Sequence, residues 1–327
     1  MSTLPRTFPV SIILCTGGRS ADLRSTLDSL ARVAVPANLS AELIVVENGA
    51  QGDAERLAAA FRSAALVVRY VFEPTRGKSR ALNRGIRESS GTILLFSDDD
   101  IRFPPDWIER MTAPILAGGA DAVAGGVVLA PHLLRPWMNH THRAWLASTA
   151  DYLSPDSPSE MCGANMAVTR RALERLGGFD FELGPGVTNG GEESLISWQI
   201  RRSGWRIAGA LDVAVEHHFD PRRLQYGSWL RCAWLKGQTR AYLMHHWFHR
   251  SVRFPVLAKA YFTAKLTLRR MLSPKRKPED EGIAPWELSY VEDLATCAHF
   301  VHERRRARNY SAQGRRESAE ACPPVAA

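Results

Sequence analysis

Three consecutive carboxylates, Asp98, Asp99 and Asp100, follow the apolar run 93–96 after a single serine, Ser97. Such a run, bounded by Gly91 on one side and polar residues on the other, reads as a strand buried on both faces. Pro104-Pro105 then blocks further strand pairing. In an open α/β sheet, ligands bind beyond the carboxyl ends of the strands, so the run delivers three acids to a place where chemistry is done. Adjacent acids repel one another unless water solvates them or a cation neutralises them. With only oxygen ligands on offer, that cation is Mg²⁺ or Mn²⁺, shared with a phosphate-bearing substrate. The alternative is a solvated acidic turn, and the buried strand in front of it favours the site. Lys78, in Gly77-Lys78-Ser79, lies at a strand-to-helix junction where an ammonium pairs with phosphate oxygens. A Walker loop is excluded because the position of its first glycine, 72, is Phe. No GxGxxG joins a strand to a helix, so a dinucleotide fingerprint is absent as well.

The elements that must position these groups alternate along the first 220 residues. Apolar runs at 10–15, 42–46, 67–72 and 93–96 read as strands, and 21–33, 53–62 and 80–88 carry helical spacing between them. This alternation means βαβ units and a mostly parallel sheet flanked by helices, an α/β fold. Right-handed crossovers would leave Thr16, Glu47 and Asp98 along one edge. Further strands are expected at 121–128, 162–168 and 205–215. Residues 131–158 read as a long loop or short helix over the site, and 184–191, with its four glycines, as a mobile loop. Glu192 and Glu193 open a helix over 194–202, where acids favour the positive end of the dipole.

Beyond Pro221 the character changes. That stretch holds 20 lysines and arginines against 9 acids, whereas the first 220 residues hold 22 against 25. The basic balance points to an acidic partner there, an anionic membrane surface or nucleic acid. Residues 252–272 form a basic amphipathic helix that can lie in a membrane interface or pack on the domain. The chain divides into a catalytic domain at 8–220, a basic helical region at 221–303 and a tail, 304–327, expected to be disordered. The five cysteines, Cys15, Cys162, Cys232, Cys297 and Cys322, are scattered without CxxC spacing, which argues against a disulfide framework or zinc site and fits a reducing cytoplasm. Neither a secretory signal nor an uninterrupted transmembrane run is read.

Taken in order, Val10-Ser-Ile-Ile…Thr16, Val45-Val-Glu47-Asn-Gly49, Gly77-Lys-Ser…Ala81-Leu-Asn83-Arg-Gly85 and Phe96-Ser-Asp98-Asp-Asp100 resemble the family-2 glycosyltransferases of GT-A fold. Gly163-Ala-Asn165-Met-Ala, Gly177-Gly-Phe-Asp180 and Gly191-Glu-Glu193 with Arg201-Arg-Ser-Gly204 continue the resemblance, which spans residues 8–219. It implies transfer of a sugar from a nucleotide-sugar donor to a hydroxyl of a saccharide or lipid-linked acceptor, as in bacterial surface polysaccharide or glycoconjugate synthesis. By the same resemblance Thr16 and Glu47 sit beside the nucleoside, Asp98 and Asp99 face the donor, and Asp100 holds a divalent Mn²⁺ or Mg²⁺ against the diphosphate. Arg76 and Lys78 add electrostatic help, and His217 is a further metal ligand. Glu193 matches the catalytic base that deprotonates the acceptor with inversion. The family usually has Asp there, which leaves Glu192 as a competitor, otherwise expected with Asn165 to contact sugar or acceptor. The implied location is cytoplasmic, peripheral at the inner membrane face, with no nucleic-acid partner. A nucleotidyltransferase or sugar-nucleotide phosphohydrolase of the same fold, and a non-catalytic sugar-nucleotide-binding subunit, are the alternatives.

Overall fold

The computed structural model describes residues 8–18, 20–63 and 65–314. Its strands are β1 (Phe8–Thr16), β2 (Leu39–Asn48), β3 (Leu66–Glu73), β4 (Ile93–Asp98), β5 (Ile101–Arg102), β6 (Ala122–Leu129), β7 (Met166–Thr169) and β8 (Ile207–His217). The helices are α1 (Ser20–Leu30), α2 (Ala54–Ala60), α3 (Lys78–Glu88), α4 (Trp107–Leu116), α5 (His140–Trp145), α6 (Arg170–Leu176), α7 (Glu192–Arg202), α8 (Tyr226–His246), α9 (Pro255–Met271) and α10 (Pro285–Glu303). The strands form one mixed sheet in the order β3-β2-β1-β4-β7-β6-β8-β5.

Strand periodicity builds the layers. Ile12 and Leu14 of β1 join Leu43, Val45 and Leu95 in a core capped by Leu23, Leu27 and Trp107. Ile13 and Cys15, one residue out of phase, join Ile44, Val46, Leu94 and Phe96 against Leu82, Ile86 and Ile196. A strand buried on both faces has no polar phase, which is why these runs read as continuous apolar stretches. Parallel pairing sets Thr16 opposite Glu47 and Cys15 opposite Asp98, so the expected alignment of polar strand ends is realised.

Two features place the second half of the chain. β7 runs antiparallel between β4 and β6. β5 follows β4 by two residues yet pairs with β8, Ile101 opposite His217, so the far end of β8 is brought to the carboxyl end of β4. His218 N–H donates to Asp100 O at 2.8 Å and fastens that junction.

The C-terminal helices share a core with the preceding domain. Leu129, Leu133, Met138 and Leu146 pack with Trp229, Leu266, Leu288 and Val291. Of the tail expected to be disordered from 304, residues 304–308 are exposed, while the segment around Asn309 and Tyr310 packs against the domain. Tyr310 is buried, and its hydroxyl donates to Asp180 at 2.5 Å. Asn309 Nδ2 donates to Glu182 and to the Tyr242 hydroxyl, each at 2.8 Å. One buried aromatic ring and its hydrogen bonds offset the ordering entropy that the charged composition suggested could not be met. Residues 315–327, including Cys322, lie outside the described residues.

Candidate active site

A cleft of about 1560 Å³ opens at the carboxyl ends of β1, β2 and β4, and Thr16, Arg76, Lys78, Asp98, Asp99, Asp100, Glu192, Glu193 and His217 all line it. The acids are separated by what each one faces. Asp98 meets the Lys78 ammonium at 2.5 Å. Burial alone would pull the Lys78 proton affinity down, but Asp98, Glu192 and Glu193 hold it well above the usual lysine range, so the side chain is a fixed cation. Asp99 is buried under the turn, where Oδ2 accepts from Thr16 Oγ1 at 2.6 Å and its carbonyl from Thr26 Oγ1 at 2.6 Å. Thr16 and Asp99 therefore brace each other rather than offering free groups to a donor.

Asp100 and His217, 117 positions apart in sequence, face one another because β5 pairs with β8. His217 Nδ1 donates to Leu146 O at 2.9 Å, which leaves Nε2 as the lone-pair nitrogen of the neutral ring. That nitrogen lies 3.5 Å from Asp100 Oδ2 and accepts from Arg223 Nη1 at 3.4 Å. Ligand bonds of about 2.1 Å to one ion set neighbouring ligands about 3–3.5 Å apart, so this pair fits a shared Mn²⁺ or Mg²⁺. Among the described residues no third His, Cys, Asp or Glu completes a cluster. The remaining ligands would then be water and substrate oxygens, as is usual for such cations with phosphates.

Glu192 and Glu193 are told apart by burial. Glu192 is 3% exposed and lies beneath Gly184 and Ser79, where a Cβ added to Gly184 would meet its carboxyl carbon at 3.1 Å. Glu193 is half-buried at the cleft surface and its carboxyl shares a hydrogen bond with that of Glu192; Oε2 of each acid is shielded and has no further partner. Of the two, the less buried Glu193 carboxyl is the one better placed for proton abstraction. Burial first, then repulsion by Glu193, lifts the Glu192 proton affinity well above the usual carboxylate range, and Lys78 only partly opposes this. An acid raised in this way contributes most below its unfolded ionisation near about 4.3, and stability falls as pH climbs from there toward the folded value. Glu192→Gln should therefore melt at a higher temperature than wild type at pH 8, with the gain closing toward pH 4. Equal melting temperatures across that range would show Glu192 to be ionised and satisfied.

Two expected contact residues are engaged elsewhere. Asn165 is fully buried; its amide donates to Gly126 O and Val213 O, each at 2.8 Å, and Oδ1 accepts from Trp107 Nε1 at 2.8 Å. It holds the register shift between β6 and β8 at Gly125/Gly126 and is not among the residues that line the cleft. Glu47 is also buried, accepting from Gly52 N–H at 2.8 Å and Tyr70 OH at 2.7 Å. It shapes the 48–52 loop, whose Asn48, Gly49 and Ala50 line the cleft in its place. Both lie at strand ends, where pattern alone cannot tell a ligand contact from a satisfied turn.

The glycine loop expected to be mobile is cross-braced. Lys78 N–H donates to Pro185 O at 2.9 Å, and Gly184 N–H to Thr188 Oγ1 at 3.0 Å. Just before it, Asn83 grips Phe179 through both its amide and its backbone carbonyl, at 2.9 and 2.8 Å. Gly178 sits there at φ +76°, with Asn83 Oδ1 2.5 Å from where a Cβ would be, so only glycine fits. The region 131–158 does cover the site, through α5 and two short 3₁₀ turns, and Trp145, Leu146 and Tyr152 line the cleft. Trp198 and the α8 residue Lys236, also on its walls, carried no local motif that could have singled them out.

The sequence model of the family described as Glycosyl transferase family 2 matches residues 11–177. Glycosyltransferase AglE of Haloferax volcanii is 32% identical over 127 residues, 38% of this chain and 40% of that protein. Succinoglycan biosynthesis protein ExoM of Rhizobium meliloti is 34% identical over 122 residues, 37% of this chain and 39% of that protein. The chain thus aligns with well under two thirds of the length of either relative. Among solved structures, the mannosyltransferase PcManGT of Pyrobaculum calidifontis, in complex with GDP-Man and Mn²⁺, superposes with a TM-score of 0.54 at 20% identity, covering 90% of this chain and 74% of that one. The fold is therefore GT-A. The motif order, the mixed sheet and a family match over more than half of the residues agree, and the chain belongs to glycosyl transferase family 2.

Proposed function

We propose that the protein is an inverting, metal-dependent glycosyltransferase that moves a sugar from a nucleoside-diphosphate sugar to a hydroxyl of a saccharide or lipid-linked acceptor. The observation that carries this reading is the meeting, in one cleft, of the Asp100–His217 pair, the Lys78–Asp98 ion pair and the half-buried Glu193 carboxylate. Asp100 and His217 would hold a divalent ion, which when bound supplies Lewis-acid neutralisation of the departing diphosphate. Lys78 and Arg76 add fixed positive charge on the same side. Glu193 takes the proton from the acceptor hydroxyl as its oxygen attacks the anomeric carbon from the face opposite the leaving group, and the configuration inverts. The printed name of ExoM, succinoglycan biosynthesis, supports a role in polysaccharide or glycoconjugate assembly.

A donor panel tests the reading. Incubation with UDP-, GDP- and dTDP-sugars and Mn²⁺ or Mg²⁺ should release nucleoside diphosphate slowly from one donor. Absence of release from every donor, with no metal-dependent nucleotide binding by calorimetry, would remove the proposal.

Work at the cytoplasmic face of a membrane is the second part of the reading. No helix among the described residues is long and apolar enough to cross a membrane. α9 and its C-cap residue nevertheless leave Leu257, Leu268 and Leu272 exposed at 68, 62 and 81%, next to the exposed cations Lys259, Arg269 and Arg270. Its only buried members are Pro255 and Leu266. An apolar stripe rimmed by cations suits an anionic lipid interface. The protein should float with vesicles containing phosphatidylglycerol and not with pure phosphatidylcholine, and Leu257→Asp/Leu268→Asp should abolish flotation. A wild-type protein that stays in the aqueous fraction with both would sink this clause.

A further inference from the structure

The cleft has a second electrostatic pole. Besides the acids at the strand ends and on α7, its lining includes a wall from the segment before α8 and from α8 itself, with Arg223, Arg231 and Lys236, and Arg250 beyond the helix. Among the described residues none of these four is in an ion pair with a carboxylate. Other cations of the same wall are neutralised: Arg222 by Asp220 at 2.5 Å, and Arg240 by Asp293 at 2.9 Å and Glu292 at 3.8 Å. On the donor side, Lys78 is matched to Asp98. Arg76 on the donor side is likewise without an ion pair among the described residues, and Glu292 lies close enough for Arg240 and Lys236 to favour its charged form; the α8 wall nevertheless carries more cations than carboxylates.

Two of these cations, Lys236 and Arg223, are held in place, whereas Arg231 is exposed. Lys236 is half-buried, with Nζ 4.9 Å from the centre of the Trp145 ring of α5. It lies one turn beyond Cys232 on the stripe of α8 that lines the cleft. Arg223 packs over the Phe219 ring at 5.3 Å while donating to His217. A cation fixed against an aromatic face has lost rotamer freedom in advance and retains its charge for a ligand. Trp145, Trp198 and Phe248 give the same stretch flat apolar surfaces, which suit sugar rings. Cations in excess of the carboxylates on this wall, beside aromatic platforms and in the same cleft as Glu193, describe a subsite for a saccharide carrying a phosphoryl group.

We infer that Lys236 and Arg231 form an acceptor subsite that binds the phosphate of a phosphorylated saccharide, separate from the donor diphosphate site. This rests on the transferase reading and narrows its acceptor to an anionic class. The phosphate has two possible sources, a lipid-linked glycosyl phosphate or a free sugar phosphate, and the chemistry at Lys236 is the same for both.

The test uses the full chain saturated with Mg²⁺ and with UDP or GDP, whichever binds. Farnesyl phosphate and glucose 1-phosphate are titrated in by calorimetry. At least one should bind with nucleotide present, and Lys236→Ala and Arg231→Ala should each weaken it by about 10- to 100-fold, the loss of a charged hydrogen bond. Lys236→Arg should restore most of the affinity, and nucleotide affinity should stay unchanged in all three variants, which also reports that they fold. Stronger binding of farnesyl phosphate assigns the lipid-linked source; stronger binding of glucose 1-phosphate assigns the free one. Probe binding that is competitive with the nucleotide, insensitive to both alanine variants, or absent in wild type would overturn the subsite. Failure of nucleotide binding itself would strike the transferase reading, and the two failures are read from separate titrations.

Discussion

Replacing Glu193 with Gln is expected to lower kcat for transfer by about 10²- to 10⁴-fold, the usual contribution of a positioned general base, with little change in nucleotide affinity. The amide keeps the size of the side chain and its place in the half-buried surface of the cleft, so the loss reports the missing lone pair and charge rather than a collapsed wall. Glu192→Gln should behave differently. Its carboxyl lies under Gly184 and Ser79, and burial already keeps its proton bound well above the usual carboxylate range, so the substitution should leave kcat within about tenfold of wild type. Measuring both variants against the donor found in the panel separates the two adjacent acids. If Glu192→Gln were the dead enzyme and Glu193→Gln the active one, the base would be the buried acid and the geometric assignment would be reversed.

Asp100→Ala is expected to cost a comparable amount by another route. Lewis-acid neutralisation of a leaving diphosphate is worth several kcal/mol, and about 1.4 kcal/mol is a factor of ten, which gives about 10²- to 10³-fold in kcat/KM. The more specific readout is binding. Mn²⁺ affinity measured with nucleoside diphosphate present should fall in Asp100→Ala and in His217→Ala. The double variant should be no worse than the more damaged single one, because groups that share a ligand do not act additively. Full additivity, or unchanged Mn²⁺ binding in His217→Ala, would take His217 out of the metal site.

The first 100 residues were the most legible part of the chain. The runs ending at Thr16, Glu47 and Asp98 are buried on both faces, and a buried parallel strand leaves an apolar stretch with an abrupt polar end. Their common edge followed from the handedness of crossovers. Asp100 and His217 were each identifiable, but their 3.5 Å approach depends on a two-residue strand that carries no periodicity. Asn165 and Glu47 show the opposite case. Both stand in motif positions, and only the hydrogen bonds to Gly126, Val213 and Trp107, or to Gly52 and Tyr70, show that their polar atoms are already satisfied. The packing around Asn309 and Tyr310 was invisible because one tyrosine meeting Asp180 outweighs a charged composition that averaging reads as disorder.

The stitch between β5 and β8 also bears on how the protein comes into being. Asp100 emerges from the ribosome more than a hundred residues before His217, and Glu193 follows Lys78 by a similar interval. Domains form progressively as the chain is made, and contacts between distant segments close last. A nascent chain that has completed β1 to β4 possesses the acid turn and Lys78, but neither His217 nor Glu193. Partial products thus hold one half of the cleft's charges without the other, and the Asp100–His217 approach closes only when β8 seats against Ile101.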